Sequence, residues 1–148
     1  MNKIEQWYDE ARNVQCKFSF LGVESIIYKG FKISKVDGIF VMYDVRFGNF
    51  YSKVKASDMT LFEEHGFIKG ADIISFNRDE KRISLYKRKA EKEYDRRKIC
   101  EKELKAKKDI RLNKKRIRNI NRRIDIYIDC LFLYRTRVNQ YKIKYNLN

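Results

Sequence analysis

The stretch IRLNKKRIRNINRRIDIYIDCLFLYRTRVNQYKIKY, residues 110–145, decides the architecture of this chain. Ile110, Ile117, Ile124, Leu131, Val138 and Tyr145 recur every seven residues, and Asn113, Ile120, Tyr127, Tyr134 and Tyr141 follow three places after them. A helix turns once in about 3.6 residues, so this spacing gathers the apolar side chains on one narrow stripe, the seam of a coiled coil. Asn113 is the polar exception. Ile124, Ile126 and Ile128 alternate with Asp125, Tyr127 and Asp129 in the manner of a strand, but the heptad continues past both ends of that segment.

Upstream, Ile83, Tyr86, Ala90 and Tyr94 form a second helical stripe that fades at Arg97 and Glu101. It is out of step with the first: counting on from Leu104 reaches Arg111, one place beyond Ile110. A slip of phase marks a place where a chain turns back, and Asp109 and Asn113 are local residues able to cap a new helix. The expectation is an antiparallel hairpin over residues 79–107 and 109–145, rather than one rod, with Tyr86 and Tyr94 beside Tyr134 or Val138. No Gly or Pro follows Gly70, but helix–helix loops of roughly 2–8 residues require neither.

The first half has a different period. Ile4, Trp7, Tyr8 and Ala11 lie on one face of a short helix. Val14, Cys16, Phe18 and Phe20 then alternate with other residues as in a half-buried strand, and residues 25–28, 31–36, 39–45 and 50–55 continue as strands. They are joined at Lys29-Gly30, Asp37-Gly38 and Arg46-Phe47-Gly48-Asn49. The unbroken apolar run from Ile39 predicts burial on both faces, Ile39, Val41 and Tyr43 on one and Phe40 and Met42 on the other. Ser57 or Asp58 is the expected cap of a helix through Glu64, with Met59, Leu61 and Phe62 inward and Gly66 as its stop. Phe67 to Phe76 reads as a second apolar cluster divided by Gly70. The fold class is therefore α+β: residues 1–77 form an antiparallel meander with barrel-like curl, and residues 78–148 a long basic helical hairpin.

Charge follows the same division. The chain carries a formal charge of +15, yet residues 1–77 hold ten basic and ten acidic side chains. All of the excess lies in residues 78–148, with twenty-five basic against ten acidic. Over residues 104–123 ten cations face the single acid Asp109. Such a field attracts polyanions, while an ordinary charge run merely keeps a helix solvated. Lys107, Lys108, Arg111, Lys114, Lys115, Arg118 and Arg122 are the expected contacts to nucleic-acid phosphates, DNA or RNA, made without base reading. Tyr127, Tyr134 and Tyr141 are the expected interface residues, facing the other arm of the hairpin or, in a self-associating protein, a second chain.

Chemistry of other kinds lacks its residues. Cys16, Cys100 and Cys130 are widely spaced, and no CxxC pair or ligand spacing involves the single His65, so neither metal nor cofactor is expected. Glu63, Glu64 and His65 are adjacent on a helix and point apart. No phosphate-cradling glycine loop, zincin motif or nucleophile elbow occurs, and a non-enzymatic protein is expected. Lys29-Gly30-Phe31-Lys32-Ile33 resembles the basic-Gly-aromatic segment of RRM and cold-shock sheets, which would imply base stacking by Phe31; the same residues also read as a hairpin turn entering a core strand. No apolar run is long enough to span a bilayer, and the polar, acidic first residues do not read as a signal peptide, so a cytoplasmic protein is expected. The helices are amphipathic enough for an anionic membrane surface, although their narrow tyrosine-bearing seam suits it poorly. The abundance of Lys, Ile, Asn and Tyr is typical of AT-rich genomes and of small basic bacteriophage proteins. The alternative function is accordingly a viral structural, assembly or host-targeting module that packs on other proteins, and a ribosome- or RNA-associated factor would share the electrostatics of the first.

Overall fold

The computed structural model describes residues 2–14, 17–20, 22–47 and 50–148. The chain forms two compact units, Met1–Ser75 and Phe76–Asn148. In the first, α1 (Lys3–Ala11) starts where the Asn2 side chain accepts a hydrogen bond from the Ile4 amide at 3.3 Å. Its buried face is Trp7, Tyr8 and Ala11, with Ile4 packed beside them, as the spacing predicts.

Five strands follow, β1 (Lys17–Phe20), β2 (Val23–Tyr28), β3 (Phe31–Val36), β4 (Ile39–Phe47) and β5 (Phe50–Lys53). They pair antiparallel in sequence order, so the sheet is an open meander with β1 and β5 at its edges rather than a closed barrel. Two of its turns are tight because Lys29-Gly30 and Asp37-Gly38 hold positive φ at both central positions (48° and 82°, 48° and 78°). The expected strand residue Cys16 and the expected Gly48-Asn49 turn lie outside the described residues.

β4 buries one face and not two. Met42 and Asp44 are covered and Phe40 packs against the core, whereas Ile39 is 65% exposed. The apolar run is instead accommodated on the open face by ring contacts: Tyr43 lies 5.8 Å from Tyr51, and the Lys32 ammonium sits 4.4 Å over the Tyr51 ring.

The covered face meets α1, α2 (Ala56–His65) and the start of α3 (Phe67–Lys105). Phe62 of α2 is the hub, with Phe31 edge-on at 5.0 Å, Phe67 at 5.6 Å and Trp7 at 5.8 Å. Neither Ser57 nor Asp58 caps α2; Lys55 occupies the N-cap, with no side-chain hydrogen bond. Gly66 ends the helix as expected, at φ 82° and with its amide bonded to the Phe62 carbonyl. Gly70 does not divide anything, since α3 runs straight through it. Its missing side chain lets α2 approach: an added Cβ would stand 2.7 Å from the Phe62 ring.

A polar latch fixes α3 to the sheet. Asp72 is fully buried, and one of its oxygens accepts from the Tyr28 hydroxyl at 2.7 Å and pairs with the Lys29 ammonium at 2.8 Å. Burial, then the bond to Asp72, pushes the Tyr28 hydroxyl well above the usual tyrosine range.

In the second unit α3 turns back into α4 (Ile110–Lys144), so a hairpin is formed. Lys107 adopts φ 55°, its amide bonds the Leu104 carbonyl, and the Lys108 amide bonds that of Glu103. This is a Schellman stop built without glycine. Asp109, at φ 40°, then starts α4 through its backbone carbonyl, which accepts from the Asn113 amide; its side chain caps nothing.

Two outcomes follow. Gly70→Ala should lower the unfolding free energy by about 1–3 kcal/mol in denaturant titration, because the methyl has no room beside Phe62. Folding holds Tyr28 protonated, so its contribution is intact below pH 10.0, the ordinary tyrosine value, and is lost as pH rises above it. Tyr8 and Tyr86 are raised by burial in the same direction. Unfolding measured across this alkaline range should show a shallower loss in Tyr28→Phe than in the parent.

Candidate nucleic-acid interface

The hairpin seam on α3 consists of Phe76, Asp79, Ile83, Tyr86, Ala90, Glu93, Arg97, Cys100 and Leu104, all buried or half-buried at spacings of three and four. It does not fade at Arg97, but continues to Cys100 and Leu104. It passes through Glu93 and Arg97, while Tyr94 lies outside it and is exposed. On α4 the heptad positions hold as expected from Asn113 onward, and Ile110 alone is left exposed at the turn.

Tyr127, Tyr134 and Tyr141 face the other arm. Tyr86 lies 5.8 Å from both Tyr127 and Tyr134, and Phe76 stacks on Tyr141 at 4.3 Å. Cys100 packs with Ile120 and Ile124 nearer the turn. The seam is thus occupied within one chain.

Three acidic side chains of α3 are drawn into this seam and bound there. Glu93 is 4% exposed; one oxygen pairs with Arg96 at 2.9 Å and the other with Arg123 across the hairpin at 3.1 Å. The Glu93 hydrogen bond raises the Arg123 guanidinium above its ordinary pKa. Asp79 is buried beside Arg82 at 3.5 Å and Arg137 at 3.9 Å. Glu103 accepts at 2.8 Å from the amide of Asn113, which also donates to the Lys108 carbonyl at 3.0 Å. Asn113, expected as a cap, is therefore a fully buried cross-brace under the turn.

The cations go the other way. Lys107 and Lys108 sit in the turn, and Arg111, Lys114, Lys115, Arg118 and Arg122 project from α4; all seven are exposed, and none forms an ion pair among the described residues. Arg111, Lys115, Arg118 and Arg122 follow one another at spacings of four, three and four, on the side of α4 opposite the seam. That stripe is about 17 Å long at 1.5 Å per residue, roughly five base-pair rises of duplex.

A second basic feature lies in the groove between the arms. Arg96, Arg116 and Arg123, with Cys100, Asn119 and Ile120, line a hollow of about 280 Å³. The Nε of Arg123 is buried there with no hydrogen-bond partner among the described residues. Three guanidiniums against one bound carboxylate leave the groove about two charges positive, suited to a phosphate group. None of these arginines stands out in the sequence, where they belong to the same charge run as their neighbours. Only the heptad phase separates them, since Arg116 and Arg123 are seven apart and flank the seam.

Phe31 and Ile33 are fully buried, so the residues resembling an RRM segment belong to the core and cannot stack on bases. Cys100 is buried and Cys130 half-buried, both as free thiols. Among the described residues no group of three or more metal-ligating side chains comes together, and no helix is long and apolar enough to cross a membrane.

Glu93→Gln should destabilise the hairpin by about 1–2 kcal/mol in thermal unfolding followed by circular dichroism. The lost carboxylate is buried, but both arginines reach solvent and are partly screened. No family model, curated protein or solved structure matches this chain.

Proposed function

We propose that this chain is a non-enzymatic nucleic-acid-binding protein whose helical hairpin contacts phosphates without reading sequence. One observation carries the reading: around the turn the acidic side chains of the seam are bound inward, while Lys107, Lys108, Arg111, Lys114, Lys115, Arg118 and Arg122 stand outward with no ion pair among the described residues. Ion-paired cations on a neutral surface would argue for mere solubility, but unpaired cations in a row match the spacing of a polyanion. Lys107, Lys108 and the stripe from Arg111 to Arg122 would hold the backbone, and Arg96, Arg116 and Arg123 would seat a phosphate in the groove. DNA and RNA share these phosphates and are distinguished by measurement.

The second reading, an assembly module in a viral particle or elsewhere, is favoured by the apolar outer side of the remaining half of α4, where Phe132 and Ile143 are among the most exposed large side chains.

Binding to labelled duplex DNA, duplex RNA and single strands across a salt series tests the first reading. About five phosphate contacts give a log–log slope near −4.5 on duplex DNA. Replacing Lys114, Lys115 and Arg118 with Gln should flatten the slope by up to about 3 units on every sequence, at nearly unchanged stability. Glu93→Gln should instead tighten binding by a few fold, because it releases Arg96 and Arg123. Absence of salt-sensitive binding near physiological ionic strength would reject the nucleic-acid reading in favour of assembly.

A further inference from the structure

The outer side of α4 changes character at Arg122. Beyond it, the positions opposite the seam carry no Lys or Arg up to the end of the helix. They present Ile126, Phe132, Leu133 and Ile143, and Phe132 and Ile143 are 75% and 77% exposed. A soluble hairpin whose seam is already closed gains nothing from this face, so it is a surface for a partner. Asp125 and Asp129, the only acids of α4, are exposed at the N-terminal end of this patch, without an ion pair among the described residues. Arg135 and Lys142 flank it towards the other end.

The order acid, apolar, base along one helix is complementary to itself when reversed. Nucleic acid is repelled by Asp125 and Asp129, and carboxylates within the apolar face oppose insertion into an anionic bilayer. A parallel copy would set Asp129 against Asp129. We infer that two copies of this chain pair antiparallel through the C-terminal half of α4, with a two-fold axis near Thr136. The axis places Asp129 of each copy beside Lys142 of the other, and Ile126 beside the C-terminal turn that carries Ile143. Such an isologous contact uses the same patch twice. It stops short of Arg122, because α4 of the other copy ends at Lys144 before reaching that level, so the paired helices leave both basic stripes uncovered.

Sedimentation of the full chain in reducing buffer, without nucleic acid and over a concentration series, tests this pairing. The expected species is a dimer. Phe132→Glu with Ile143→Glu should give a monomer of unchanged helical content. Asp129→Lys and Lys142→Asp should each weaken the dimer by roughly tenfold. An equimolar mixture of these two variants should recover dimer, since the mixed pair keeps one Asp–Lys contact in its original sense and restores the other with its sense reversed. A monomer at all concentrations, a dimer indifferent to the glutamates, or a mixture no tighter than its parts would overturn the inference. Binding to phosphatidylcholine vesicles by a chain that stays monomeric would overturn it in favour of a lipid surface. None of these readouts depends on whether the chain binds nucleic acid.

Discussion

Two helices drawn from a region with twenty-five cations must run side by side, and the repulsion between them is the constraint on the whole second unit. Each pair of facing charges at about 9 Å costs roughly 0.5 kcal/mol in water before screening, and the pairs are many. The seam answers with aromatic and aliphatic burial, and also with charge. Glu93 lies under the plane of the cations, where it holds one arginine from each arm. Asp79 does the same for Arg82 and Arg137 near the other end. Because these acids are inside, the exterior keeps its field while the interior loses part of the strain. The feature that lets the arms meet is also the one that leaves the outward cations uncompensated.

What could be read from the chain depended on how purely each periodicity was expressed. On α4 ten of eleven seam positions are apolar, and both the helix and its turning point near Asp109 were legible. On α3 the same seven-residue beat exists, but Glu93 and Arg97 interrupt it, and exposed Tyr94 stands one place off to draw the count astray. An ion pair across a hairpin has no signature in either strand of sequence alone. For β4, an apolar run suggested two covered faces, because the cross-strand contact of Tyr43 with Tyr51 that satisfies the open face depends on register. Capping failed at Ser57 and Asp58 for a related reason: a backbone turn at Lys55 sufficed. The outward cations were nameable from charge density; the Arg96, Arg116 and Arg123 groove was not, since it exists only once two distant segments lie together.

The division of labour within α4 is as sharp as that between the units. One continuous helix carries a shared inner seam, and its outer side is basic before Asp125 and apolar after it. Rigid helical spacing couples the two halves: whatever holds the apolar half also sets the direction in which the basic half points. A loop between them would lose that relation.

The order of the meander bears on how the chain acquires its fold. Every strand pairs with its neighbour in sequence, and the two long helices are joined by a four-residue turn held by Lys107, Asp109 and Asn113. Contacts therefore begin locally and extend outward, hairpin by hairpin in the sheet and from the turn towards Phe76 and Tyr141 in the helices. Closure entropy is met in small steps, which is the condition for rapid folding. During synthesis each strand meets its partner as soon as it emerges, whereas Trp7 and Tyr28 gain Phe62 and Asp72 only when the later helices follow. A hairpin that closes from its turn meets last at Phe76 and Tyr141, the closest ring pair among the described residues.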